Sequence, residues 1–190
     1  KRLDGMRESF IREMTRLAFA HQAINLSQGY PDYDAPREAI EAALKVASRI
    51  PEEAWRSMPL LQQFLVAPLF AYTRFGKWEE ILKEPAPDQD AHFLTGVWRY
   101  ARGLAYTATG RPDDATRELG RLQQIAAMDP LDGLKVTFSR NGARAILEIA
   151  VEVLAGELAA ARGDFEQAIV RLHRGVLHED NLNYMDQQDW

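Results

Sequence analysis

Residues Tyr100–Ala115, Y-A-R-G-L-A-Y-T-A-T-G-R-P-D-D-A, place small residues, aromatics and glycine at the spacing of one helical hairpin. Gly103 and Tyr106 fall about one turn apart on a predicted first helix. Gly110 predicts the end of that helix, because glycine readily adopts the left-handed conformation of a helix C-terminus. The proline two residues later suits the first turn of a second helix, on which Ala115 faces back toward Gly103. This stretch predicts an all-α fold built from helical hairpins.

The same pattern recurs less completely on both sides of this stretch. Gly76 lies 34 residues before Gly110, and only the aromatic position before it is kept. Gly163 lies 53 residues after Gly110, and there only the two small-residue positions are kept. We therefore predict three hairpins, with the flanking two degenerate. The residues expected to pack them are Tyr72, Gly76, Gly103, Tyr106, Gly110, Ala115, Gly156, Gly163 and Ala168.

The spacing between the second and third hairpins implies an insertion of 19 residues beyond the first spacing. The string D-P-L-D-G predicts a turn within Met128–Gly133, since these are turn-forming residues. A longer first helix is then predicted from about Val136 to Ala161. Asp164 is expected to cap the second helix of this hairpin, with Gln167 completing a capping box.

Residues 51–190, including M-P-L-L-Q-Q-F, F-G-K-W-E-E-I-L and L-A-A-A-R-G-D-F, resemble bacterial tetratricopeptide-repeat proteins, whose period is also 34 residues. The resemblance implies a solenoid that is truncated at its C-terminus. It also implies a non-catalytic scaffold that binds a protein or peptide on the concave face, which the first helices of the hairpins line. By register, the candidate groove residues are Gln63, Phe70, Arg74, Tyr100, Leu104, Thr107, Val153 and Glu157.

The N-terminal part has a different pattern. An amphipathic helix is predicted over 5–21, a loop over 25–36, and a second helix from Pro36 to Ser48. The strings R-E-S-F-I-R-E-M-T-R-L-A and A-I-N-L-S-Q-G-Y-P-D-Y-D-A-P, within residues 3–47, resemble the N-terminal segment of fold-type I pyridoxal-phosphate-dependent aminotransferases of the kynurenine and methionine aminotransferase kind. In that family the glycine matching Gly29 lies beside the substrate carboxylate, and the aromatic matching Tyr30 borders the pocket.

The resemblance to aminotransferases stops near residue 50, which divides the chain into a segment 1–50 and a repeat region 51–190. The cofactor domain of those enzymes, with its Schiff-base lysine, has no counterpart in the sequence. We therefore expect no enzyme and no cofactor. The alternative is a remnant or fragment of such an aminotransferase that retains cofactor or amino-acid binding. The N-terminal segment is expected to cap the first hairpin or to pair with a second copy, giving a possible homo-oligomer.

Composition narrows the remaining classes. A net charge of −5 in 190 residues gives no electrostatic reason to expect nucleic acid or an anionic membrane as partner. The absence of cysteine excludes disulfides and is compatible with the cytoplasm. Lys1 in place of a starting methionine suggests a trimmed fragment. His173 and His178, five residues apart, do not share a helix face, so no metal site is predicted. The tryptophans at 55, 78 and 98 are expected in the core.

Overall fold

A computed structural model describes residues 37–136 and 141–183, all within one unit, Pro36–Trp190. These ranges are helical except for connecting turns and an isolated antiparallel bridge between Lys135 and Gly142. Within the same ranges, no helix is both long enough and apolar enough to span a lipid bilayer. The predicted all-α class is confirmed for this part of the chain.

Short connections join the helices. The α-helices are α1 (Arg37–Ala47), α2 (Glu52–Ser57), α3 (Gln62–Leu65), α4 (Ala67–Arg74), α5 (Trp78–Lys83), α6 (His92–Ala108), α7 (Pro112–Ala126), α8 (Ala143–Ala161) and α9 (Phe165–Glu179). Single 3-10 turns, Pro59–Leu61 and Asp129–Leu131, precede α3 and follow α7. The first-hairpin positions predicted on one helix are divided between α3 and α4, and a proline lies in the first turn of α4.

Three glycine turns share one geometry. Gly76, Gly110 and Gly163 have φ of 64°, 71° and 79°, the left-handed conformation that glycine adopts without strain. In each turn the residue after the glycine donates its N–H to a carbonyl four residues before the glycine, as in the Schellman C-cap. These hydrogen bonds join Lys77 to Tyr72, Arg111 to Tyr106 and Asp164 to Ala159, at 2.9, 2.8 and 3.0 Å. The pairs α4–α5, α6–α7 and α8–α9 therefore reverse direction in the same way.

Successive hairpins stack through their first helices. A Cβ added to Gly96 of α6 would lie 2.6 Å from Leu147 Cδ1 of α8, and one added to Gly103 would meet Leu154 in the same way. Both contacts advance by seven residues, so α6 and α8 run parallel. The sequence interpretation places Gly103 against the helix of Ala115, whereas its close neighbour in the structure belongs to the next hairpin.

The core lies between these stacked helices. Its principal cluster joins buried residues of α4 to α8, and a smaller cluster joins Tyr106 and Ala115 to Leu158 of α8. Trp55 and Trp98 are buried, and Trp78 packs half-buried against the principal cluster. The largest fully buried side chains are Ile81, Leu122, Leu131, Val136, Leu147 and Leu154. Leu147 and Leu154 link the core directly to the contact between α6 and α8.

Two expectations about the third hairpin are wrong. Its first helix begins at Ala143 rather than near Val136, because the Val136 N–H donates to the Asn141 carbonyl and the Ala143 N–H donates to Leu134. These bonds make a local reversal that helical periodicity does not encode. Asp164 caps α9 by accepting from the Gln167 N–H at 3.0 Å. Its own N–H donates within the glycine turn, so the reciprocal half of the expected capping box is not formed.

The N-terminal part is described only from α1 onward. This helix, predicted over Pro36–Ser48, spans Arg37–Ala47 and packs against α4, with Ile40 contacting the principal core cluster. The predicted helix over 5–21, and the loop with Gly29 and Tyr30, lie outside the described residues. The described end of this segment thus contacts the first hairpin.

Candidate functional site

The predicted groove residues lie on three helices that pack in the order α4, α6, α8. On α6, Tyr100 and Leu104 are half-buried and pack against the core. The Thr107 hydroxyl donates to the Gly103 carbonyl at 2.9 Å, so this side chain is held on its own helix. These three residues form the middle of the candidate face.

Tyr100 and Glu157 are brought together by the parallel packing of α6 and α8. Burial, together with the negative charge of Glu157, raises the pKa of Tyr100 to about 12. The carboxylate of Glu157 itself is exposed. The face therefore places an apolar, partly buried ring beside an accessible negative charge.

Val153 does not join this face. It lies against α9, where a Cβ added to Gly175 would be 3.5 Å from Val153 Cγ2. Gly156, at the position equivalent to Gly103, likewise meets Leu172 of its own hairpin partner. Val153 is thus a packing residue of the α8–α9 hairpin, since it points toward the second helix rather than toward α6.

The first hairpin carries the remaining candidates. Phe70, 46% exposed, and Arg74, also exposed, lie on α4. Gln63 lies on α3, and its Nε2 is buried without a hydrogen-bond acceptor among the described residues. Phe70 supplies the apolar surface that this hairpin adds, whereas Gln63 lies on a separate short helix.

A buried ion network, which the sequence interpretation misses, fixes α6 against α7. Glu118 is 4% exposed, and its carboxylate accepts from Arg99 Nη1 at 2.9 Å and from Arg102 Nε at 3.2 Å. Arg102 also donates to the Tyr106 hydroxyl at 2.6 Å. Both guanidinium groups stack on Trp98, with 4.5 and 4.7 Å to the ring centroid. Each charge has a partner, so the network has a structural role.

A polar cavity of about 320 Å³ lies between α7, α8 and α9. Its charged side chains pair with one another or with the backbone. Arg171 contacts Glu152 at 3.2 Å, and His178 lies 3.9 Å from Glu148. Arg144 donates to the carbonyls of Ala126 and Met128 at the end of α7. The lining residues are Gln123, Ala126, Ala127, Arg144, Glu148, Val151, Glu152 and His178.

A second cavity, of about 270 Å³, lies beside α2. Its lining includes Trp55, Arg56, Gln62, Asp90 and His92. Hydrogen bonds to Asp90 and Glu52 raise the pKa of Arg56, so this guanidinium stays charged. Across 37–136 and 141–183, no group of three or more His, Asp and Glu side chains is placed to hold a metal ion.

The features available for recognition in the described residues are therefore a surface of helix faces and shallow cavities whose charged groups are paired. Comparison with protein families, with curated proteins and with solved structures finds no match to this chain.

Proposed function

We propose that residues 51–190 form a tetratricopeptide-like solenoid that acts as a non-catalytic scaffold and binds a protein or peptide on the face formed by its first helices. The three identical glycine turns and the parallel contact of α6 with α8 support the repeat architecture. In such arrays the concave face is the usual binding surface. Because the chain contains no cysteine, we place this scaffold in the reducing cytoplasm.

The observation that carries the proposal is the pairing of Tyr100 with Glu157 across neighbouring first helices. Tyr100 and Leu104 offer an apolar floor, and Glu157 offers an exposed carboxylate at its edge. A peptide with an apolar anchor beside a lysine or arginine matches both features, because the anchor is desolvated and the cation pairs with Glu157.

Selection of peptides from a random display library on the folded chain tests this proposal. The selected peptides are expected to combine apolar and basic residues and to bind Glu157→Lys at least tenfold more weakly. Arg121→Ala, an exposed change on α7, is the control and should bind normally. Failure to select any peptide, or equal binding to Glu157→Lys, would contradict the proposed face.

The second candidate, residual cofactor or amino-acid binding, is supported by the resemblance of the segment with Gly29 and Tyr30. A titration with pyridoxal phosphate distinguishes it from the scaffold. An absorbance band from an internal aldimine would support this candidate, whereas the absence of any such band would remove its cofactor-binding part.

A further inference from the structure

Helix α9 exposes an apolar surface that its packing on α8 leaves uncovered. Its large exposed side chains are Phe165, Ile169, Val170, Leu172, Val176 and Leu177. Four of them, Phe165, Ile169, Leu172 and Val176, are spaced by four, three and four residues and form one line along the helix, here called the α9 stripe. Phe165 and Ile169 are 67% and 69% exposed. The opposite side of α9, with Ala168 and Gly175 buried, packs on α8.

The corresponding positions of α7 show what this surface is shaped to contact. Counting back by the 53 residues between the two glycine turns, the stripe matches Pro112, Thr116, Leu119 and Gln123. Thr116 accepts a hydrogen bond from Arg162 at 2.6 Å, at the end of α8. Leu119 packs against the cluster that contains Leu158 of α8, and Gln123 lines the cavity shared with α8. In α7 these positions hold a helix, so the α9 stripe is a helix-binding surface.

We propose that this stripe pairs with the stripe of a second copy of the chain, antiparallel about a two-fold axis. The four-three-four spacing reads the same in both directions, which suits a self-complementary interface. In one register Phe165 lies opposite Val176 of the partner subunit, and Ile169 lies opposite Leu172 of the partner subunit. Every large side chain of the stripe then meets an apolar partner.

The charges beside the stripe favour this antiparallel arrangement. Glu166 and His173 lie along the same side of the stripe, seven residues apart. In the antiparallel register Glu166 lies within about 3 Å, along the axis, of His173 of the partner subunit, and the imidazole N–H can donate to the carboxylate. The two-fold axis makes this pair twice. A parallel pairing would instead place Glu166 beside Glu166 of the partner subunit.

The size of the surface sets the expected strength of the dimer. Helix α9 has 15 residues, which is about 22 Å of helix. Val170 and Leu177 widen the apolar surface, but one helix covers less than the roughly 800 Å² per partner of a standard interface. We therefore expect a reversible dimer with a dissociation constant in the micromolar range.

Sedimentation equilibrium of the full chain over a concentration series tests the dimer. We expect a monomer–dimer equilibrium that Ile169→Glu weakens at least tenfold, with an unchanged circular dichroism spectrum because Ile169 is largely exposed. Met58→Glu alters a side chain that is 55% exposed elsewhere and should leave the dimer intact. A chain that stays monomeric, with the stripe free or covered by other parts of the chain or by another protein, would overturn the proposal. So would a dimer unaffected by Ile169→Glu.

Disulfide formation tests the direction of pairing, since the chain has no cysteine of its own. Chains carrying Phe165→Cys are mixed with chains carrying Val176→Cys under mild oxidation. The antiparallel register predicts the mixed disulfide, because each Phe165→Cys lies opposite a Val176→Cys within the about 6 Å that a disulfide spans between Cα atoms. Preferential formation of the Phe165→Cys homodimer would contradict the register. Neither experiment depends on the peptide-binding face.

Discussion

Gly103 of α6 lies directly against Leu154 of α8, so that a Cβ on Gly103 would be 2.9 Å from Leu154 Cδ1 and closer still to Cδ2. Leu154 is completely buried, which leaves its side chain no free space into which to withdraw. Tyr100 lies one turn before Gly103, and Glu157 lies one turn after Leu154. The contact between Gly103 and Leu154 therefore sets the distance between the two residues of the proposed binding face.

Replacing Gly103 with alanine should destabilise the protein. The added methyl group must displace Leu154, and overpacking of this kind costs about 1–3 kcal/mol, which outweighs the roughly 1 kcal/mol by which alanine favours a helix. We expect a net loss of about 1–2 kcal/mol in the free energy of unfolding, measured by urea denaturation.

Gly120→Ala is the matched control for this substitution. Gly120 lies inside α7, and no atom approaches its added Cβ within 4 Å. Alanine should therefore stabilise the protein by about 0.5–1 kcal/mol. Equal effects of the two substitutions would show that the close approach of α6 and α8 is not present in solution.

Gly110→Ala tests the turn between α6 and α7. Space is open around Gly110, but its φ of 71° disfavours any residue with a Cβ. We expect a loss of about 1–2 kcal/mol from backbone strain. Gly110→Asn should lose less, because asparagine adopts this conformation more readily than alanine. Thermal unfolding of both variants measures the difference, and a tolerant Gly110→Ala with an intolerant Gly110→Asn would contradict the assigned turn.

Glu118→Ala tests the buried ion network. It leaves Arg99 and Arg102 without their shared carboxylate, and removing one member of a buried pair costs about 3–5 kcal/mol. Because the two arginine side chains retain 21% and 16% exposure, we expect a smaller loss of about 2–3 kcal/mol. Glu79→Ala breaks an exposed pair with Lys83 and should cost under about 1 kcal/mol. Similar denaturation midpoints for the two variants would argue against the network.

The pKa of Tyr100 gives a stability change at high pH. Its folded-state pKa of about 12 lies above the value of about 10 for an unfolded chain. The stabilisation is therefore complete below pH 10 and is lost as pH rises from 10 to 12, with an upper limit of about 2–3 kcal/mol. Tyr100→Phe removes this titration, so its stability should fall less over that interval than that of the unmodified chain. Parallel pH profiles of the two proteins would contradict the burial of Tyr100.

The sequence predicts local features better than contacts between hairpins. Gly110, with proline two residues later, specifies a helix end and a helix start because both residues act through their own backbone angles. The partner of Gly103 is decided by the register of α8 on α6, which local spacing does not contain. The same limit applies to Val153, which was predicted to face the groove and instead packs on α9.

The ion network and the start of α8 show the same limit in other terms. Glu118 pairs with arginines 16 and 19 residues earlier, across the glycine turn, so the pairs follow only from the packing of α6 on α7. The first turn expected near Val136 is replaced by hydrogen bonds between residues on either side of 137–140. Periodicity of apolar residues carries no signal for such a local reversal.

The parallel contact of α6 with α8 is the relationship on which the proposed binding face depends, and distances between spin labels test it most directly. The cysteine-free chain permits labels at Ala108 with Ala161, and at Ala108 with Ala145. Parallel helices predict a short distance for the first pair and one longer by about 15–20 Å for the second, since 16 residues of α8 separate Ala145 from Ala161. A shorter distance between Ala108 and Ala145 would contradict the stacking.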